Sequence, residues 1–204
     1  MVDKALIAKT LTARPVGRPN KKQPKISAEA IVSAAIIFID SHGFSALSMR
    51  ALAKEMGINP MTIYYYFEDK ECLVKAIANH VYAKVIPCLS GTPIEQIKHL
   101  LTEYRECIVS YPELTLSIFN HPNAFPEEAQ RVTQTLINLA KELNHATEQA
   151  TLWVYILIDF THGSALAVSN RNNIDTQKSD SDYYHQSIDT LLRNLNKNDE
   201  IQYN

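Results

Sequence analysis

From residue 26 onward, apolar positions recur mostly at intervals of three and four, the spacing that gathers side chains on one face of an α-helix. Ile31, Ala34, Ala35, Phe38 and Ile39 form such a stripe behind Ser27, whose hydroxyl suits a helix N-cap, and His42-Gly43 ends it. Ser48 opens a second, short helix with Leu52, Ala53 and Met56 as its apolar members, closed by Gly57. Ile58 alone separates that stop from Asn59-Pro60, an N-cap followed by proline where its missing N–H costs nothing, so a third helix is expected from Pro60 to about Phe67. Asp69 caps a fourth, with Leu73, Val74, Ile77, Val81 and Val85 in its stripe and Pro87 beyond its end. Five more are expected over Ile94 to Ser110, Pro112 to Asn120, Pro126 to Leu143, Ala146 to Ser169 and Ser181 to Leu195, with the polar run Asn170 to Asp180 as a linker. The pattern predicts an all-α chain.

One stretch departs from the core-helix pattern. Tyr64, Tyr65 and Tyr66 in "GINPMTIYYYFEDKECL" point in three directions, so at least one hydroxyl must meet something other than the core. Two short helices joined by a glycine turn make a helix-turn-helix, whose second helix enters the DNA major groove. Ile63 and Phe67, four apart, turn inward with Leu52 and Met56, which leaves Met61, Thr62, Tyr65 and parts of Tyr64 and Tyr66 facing out. Tyr66 suits DNA contact and the plugging of a joint between domains equally well. Asp69 reads as a structural cap and Glu68 as a solvated charge.

The run "FSALSMRALAKEMGINPMTIYYYFEDKECLVKAI", Phe44 to Ile77, resembles the DNA-binding region of the tetracycline-repressor (TetR) family of bacterial transcription regulators. Gly43, Ala53, Gly57-Ile58-Asn59, Ile63-Tyr64, Phe67 and Lys70-Cys72-Leu73 carry the likeness. It implies an N-terminal helix-turn-helix domain over 26–72 and a helical regulatory and dimerisation domain over 73–204. It also implies DNA contacts from Ser48, Arg50, Asn59, Met61, Thr62, Tyr64, Tyr65 and Lys70, with Lys70 on a phosphate near a helix N-terminus. Pro60 and Met61 depart from the family's pattern, because neither can make a bidentate base contact. Met61 is left to press on a thymine methyl or to stand as a plain surface residue.

Charge adds a further element. Net charge is only −2, yet residues 1–25 carry seven Lys or Arg against one acid, leaving thirteen basic residues against twenty-one acidic in the remainder. "RPVGRPNKK", Arg14 to Lys22, is similar to an AT-hook, which would insert Arg18 into an A·T-rich minor groove with Lys21 and Lys22 on phosphates. Residues 1–25 are expected to be a flexible basic arm.

In the second half, Tyr104, Cys107, Phe119, Trp153, Phe160 and His162 mix apolar bulk with polar handles, suited to an effector cavity or simply to a core. Tyr184, Ile188, Leu191, Leu192 and Leu195 keep one apolar face on the last helix, and Gly163 and Ala167 on the helix before allow close approach. By the family resemblance these two helices pair with their counterparts in a homodimer, which sets two heads on a palindromic operator.

Cys72, Cys88 and Cys107 form no metal or disulfide spacing, and no metal or cofactor is expected. No signal-peptide core is visible, and the longer apolar stretches are interrupted by Asp, His or Gly, so a cytoplasmic protein that does not enter membranes is expected. The absence of a phosphate loop, nucleophile elbow or zinc-protease motif argues against an enzyme. The reading is a ligand-responsive, sequence-specific transcriptional regulator, a repressor released from its operator by a small-molecule effector. An A·T-preferring architectural DNA-binding protein is the alternative, and a helical enzyme the remote one.

Overall fold

The computed structural model describes residues 26–121, 125–143, 145–169 and 174–195, with side chains of the last segment from 180 onward. Arg18, Lys21 and Lys22 lie outside the described residues. Nine α-helices and no strand occur among the described residues: α1 Ala28–His42, α2 Met49–Glu55, α3 Pro60–Tyr66, α4 Lys70–Tyr82, α5 Pro93–Ser110, α6 Pro112–Asn120, α7 Glu127–Lys141, α8 Thr147–Ser169 and α9 Ile174–Leu195. A one-turn 3₁₀ helix, Phe44–Ala46, links α1 to α2.

The boundaries follow from local chemistry. Ser27, Ser48, Asn59 and Asp69 each accept a backbone N–H in the first turn of the helix they precede. Thr92 and Glu95 form a reciprocal capping box at α5, with Pro93 at the first helical position. Behind α2, the Gly57 N–H donates to the Lys54 carbonyl at 3.1 Å and the Ile58 N–H to the Ala53 carbonyl at 3.0 Å, the bond pair of a Schellman stop. That stop needs a left-handed residue, and Gly57 supplies it at φ 64°.

Two expected boundaries are corrected. The fourth helix closes at Tyr82 rather than running through Val85, whose carbonyl instead accepts from Arg131 on α7. The last helix starts at Ile174 rather than near Ser181, so much of the polar run expected to be a linker is helical. Apolar periodicity marks only the turns that face a core, and the opening turns of α9 carry none of it.

α1, α2 and α3 pack with the start of α4 around Ile31, Ala35, Phe38, Leu52, Ile63 and Leu73, all buried. α4 then continues into the second half, where Ile77, Val81 and Tyr82 join a core built mainly by α5, α7 and α8. α8, with 23 residues, is long and apolar enough to cross a membrane by length and composition, despite Asp159, His162 and Gly163. Here it packs against α5 and α7, burying Val154, Leu157, Thr161 and Ala165.

Candidate nucleic-acid interface and effector cavity

The Schellman stop sets the α2–α3 turn, and Ile63, fully buried, keys α3 onto α2. Successive residues turn by about 100° around the axis. With Ile63 and Phe67 inward, the opposite arc presents Met61 at 69% exposure, Tyr65 at 82% and Tyr64 at 42%, with Thr62 half-buried beside them.

Tyr66 resolves differently. Its hydroxyl donates to the Ile26 carbonyl, and its ring meets Tyr65 edge-on at 5.0 Å, so it ties the end of α3 to the residues leading into α1. That bond stays within residues 26–72 and plugs no joint between the two halves, while Tyr66 remains 36% exposed.

Ser48 and Asn59 spend one acceptor each as caps, to the Ala51 and Met61 N–H groups, and keep the Ser48 hydroxyl hydrogen and the Asn59 amide hydrogens as donors. Arg50 is exposed in the first turn of α2. Lys70, in the first turn of α4, holds its ammonium 5.4 Å from the Phe44 ring centroid, an exposed cation–π contact that steadies the charge without burying it. Asp69 takes the Cys72 N–H at 2.7 Å, and that backbone bond holds its carboxyl below the ordinary range. The surface formed by α2, α3 and the α4 N-terminus therefore combines hydroxyls, amide donors and two cations, the chemistry that meets phosphates and base edges.

The second half holds a cavity of about 190 Å³. Tyr82 of α4, Tyr104 of α5 and Thr115, Ile118 and Phe119 of α6 form one side. Phe125, Pro126, Ala129 and Thr133, before and on α7, and Tyr155, Ile158, Asp159 and His162 of α8 close the other. Burial pushes Tyr104 well above its ordinary value and His162 below its own, so both are neutral, and the Tyr104 hydroxyl pairs with Nε2 of His162 across 3.0 Å. Phe119 meets the His162 ring edge-on at 5.0 Å. Tyr82 is likewise pushed up to about 12 by burial, and its hydroxyl lies 3.2 Å from that of Thr115.

Of the residues expected to line such a cavity, Tyr104, Phe119 and His162 do so. Cys107, Trp153 and Phe160 do not. The Cys107 thiol turns toward the Val81 carbonyl and burial pushes it up to about 11, Trp153 packs half-buried against the core, and Phe160 stacks on Tyr184. Sequence reasoning passed over Tyr82, Thr115, Phe125, Thr133 and Asp159. Tyr82 stands outside the apolar stripe read for the fourth helix, and nothing local tells which side chains of five helices converge.

The residues expected at a dimer face pack largely within the chain. Tyr184, Ile188, Leu192 and Leu195 are buried in the chain's own core, and Leu191 packs half-buried against it. The Tyr184 hydroxyl donates to the Leu101 carbonyl and lies 3.1 Å from the Thr161 hydroxyl, and the Arg105 guanidinium sits 4.7 Å over its ring. With its hydroxyl satisfied and its ring covered, the Tyr184 side chain is spent inside the protomer. Gly163 and Ala167 remain exposed on α8, on the side that also carries exposed Leu152 and Ile156, and Tyr183 is exposed on α9.

α4 is cross-linked to α7 by polar contacts. Lys75 pairs with Glu127 at 2.5 Å, the Asn79 amide donates to Glu127 while its oxygen accepts the Glu128 N–H at 3.0 Å, and Arg131 donates to the Val85 carbonyl at 2.8 Å. Lys75 and Asn79 together hold the Glu127 carboxyl down to about 2. At the other end of α4, Glu71 lies 3.7 Å from His121, just past α6. No group of three or more metal-ligating side chains occurs among the described residues.

The sequence model for "Bacterial regulatory proteins, tetR family" matches residues 31–77, the helices that build this surface. The tetracycline repressor protein class E of Escherichia coli is 23% identical over 156 residues, 74% of this chain and 72% of its own length. The class D repressor of the same organism is 21% identical and is covered over 66% of its length. Among solved structures, Mycobacterium smegmatis BioQ superimposes with a TM-score of 0.74 at 20% identity, covering 84% of this chain and 98% of that one. BioQ with its natural double-stranded DNA operator gives 0.71, over 84% and 99% of the two chains at 20% identity. A single-substitution variant of TetR from Acinetobacter baumannii AYE, in complex with minocycline, also gives 0.71, at 18% identity over 83% and 96%. At these identities the solved structures share the fold.

Proposed function

Because the chain belongs to the tetR family of bacterial regulatory proteins and is a transcriptional regulator, we propose that it is a homodimeric repressor that reads a palindromic operator with α3 and leaves it when a small molecule fills the α4–α8 cavity. The observation that carries this reading is the outward arc of α3. Met61, Tyr64 and Tyr65 spend large side chains on solvent while Ile63, with Phe67 at the helix end, keys the helix to the core. Thr62, Tyr64 and Tyr65 contact backbone and bases, Arg50 a base or phosphate, and Ser48, Asn59 and Lys70 grip phosphates. The basic stretch at Arg18, Lys21 and Lys22 adds salt-dependent affinity in a minor groove. BioQ, whose fold this chain shares, is known on its double-stranded operator.

Two heads need a dimer, and the second copy meets the exposed side of α8 at Leu152, Ile156, Gly163 and Ala167, with Tyr183 of α9 beside it. That stripe is apolar or small, whereas Val154, Leu157, Ile158 and Ala165 of α8 are spent in the core and Tyr155 on the cavity. α4 is the lever. It starts at the DNA surface, carries Tyr82 into the cavity wall and is fastened to α7, so a ligand that favours one α4–α7 arrangement changes the spacing of the heads. The protein acts in the cytoplasm, where its operator is.

Selection of fragments from the organism's own DNA by the full-length protein at physiological salt tests the reading. A palindromic motif is the expected result. Equal retention of any A·T-rich fragment would replace it with the architectural alternative.

A further inference from the structure

The cavity wall is unusual in how it disposes of its polar atoms. Tyr104 and His162 satisfy each other, Tyr82 lies against Thr115, Thr115 donates to the Tyr111 carbonyl, and Thr133 donates to that of Ala129. Asp159, exposed at the rim, is the lining group that carries a formal charge, and its carboxylate takes no hydrogen-bond partner among the described residues. No Lys or Arg lines the cavity, and burial keeps His162 uncharged near neutral pH. Around this carboxylate stand the rings of Tyr82, Tyr104, Phe119, Phe125 and Tyr155, of which Phe119, Phe125 and Tyr155 are 41–53% exposed at the mouth.

These features select a ligand by charge. An organic anion finds no cation and meets Asp159. A polyhydroxylated neutral molecule finds most donors and acceptors already spent, with the Tyr155 hydroxyl and the Asp159 carboxylate left to pair with its own. A positively charged nitrogen finds an open carboxylate, with aromatic faces to share the charge. The volume, about 190 Å³, falls below the roughly 300–1,000 Å³ of sites for drug-sized ligands, which fits a single-ring molecule. Resting on the reading of this cavity as the effector site, we propose that it takes a small lipophilic organic cation, one aromatic ring bearing an ammonium group, with the nitrogen at Asp159 and the ring among Tyr82, Tyr104, Phe119 and Phe125.

Calorimetric titration of the full-length, DNA-free protein at pH 7 with 2-phenylethylammonium, 2-phenylethanol and phenylacetate tests this directly. The cation binds about tenfold tighter than the alcohol, as expected for one partly exposed charge pair, and phenylacetate binds weakest. Asp159→Asn brings the cation to the level of the alcohol and leaves the alcohol unchanged; the side chain is exposed, so the variant folds. Equal or tighter binding of the alcohol or phenylacetate, an unaltered cation affinity in Asp159→Asn, or no binding of the cation overturns the assignment. Operator affinity measured in parallel separates the two claims. A cation that binds through Asp159 yet leaves DNA binding unchanged sustains the ligand class and refutes the effector role of the cavity. Release of the operator by another class of molecule, with no cation binding, does the reverse.

Discussion

Three consecutive tyrosines divide their work by rotation alone. Tyr64 and Tyr65 are left to solvent, and Tyr66 is swung round to the Ile26 carbonyl. Their neighbour Ile63, fully buried, is expected to cost about 2–5 kcal/mol when cut to Ala, as core truncations do. Tyr65→Ala should change stability by no more than about 0.5 kcal/mol while weakening operator binding. Urea unfolding beside fluorescence anisotropy on operator DNA distinguishes a packing residue from a reading one.

His162 gives a pH signature at the same scale. Its folded pKa lies below the ordinary 6.5, so the unfolded chain takes up the proton first as pH falls. The stability present above about pH 6.5 is therefore lost below it, and His162→Gln should flatten that slope in urea midpoints between about pH 7.5 and 5.5. Which side chains of α3 face outward was legible from Ile63 and Phe67 alone. The partner of His162 was not, because Tyr104 is 58 residues away and only tertiary packing brings the two rings together.

Helices reveal their ends more readily than their neighbours. Ser27, Ser48, Asn59 and Asp69 marked starts that the caps confirm, since each bond spans two or three residues and local sequence contains the whole of it. The α9 start escaped because a polar opening turn has no stripe to read. The α4–α7 contacts escaped for a different reason: Lys75, Asn79, Glu127 and Arg131 look like ordinary surface residues until the two helices are placed side by side. Glu127 makes this joint acid-sensitive. Its folded pKa of about 2 against the usual 4.5 means that its contribution is complete above pH 4.5 and lost as pH falls toward 2. Hydrogen exchange at the first turn of α7 should rise through that window, and Glu127→Gln should show the faster exchange already at about pH 6.

Across the whole molecule, one continuous core runs from the DNA-facing helices through α4 into the second half. Apolar periodicity foretold that α8 and α9 have buried faces, yet it is silent on whether an apolar face meets its own chain or a copy. For that reason the α9 residues expected at a dimer face were not legible as members of the chain's own core. Ile156→Lys, a charge placed mid-stripe on the exposed side of α8, is expected to turn a dimer into a monomer in sedimentation equilibrium and to abolish tight operator binding without unfolding the chain. A dimer that persisted in this variant would move the interface elsewhere.

The fastening of α4 to α7 is mixed in kind, and that has a consequence for how this protein responds to its medium. The Lys75–Glu127 pair is screened by added salt, while the Asn79 bond to the Glu128 N–H joins uncharged groups and is not. Grip on phosphates weakens steeply as ions are added. Raising ionic strength should therefore strip the protein from DNA long before it uncouples the two halves of the chain, and a bound small molecule should still be sensed by α4 in brine that no operator complex survives.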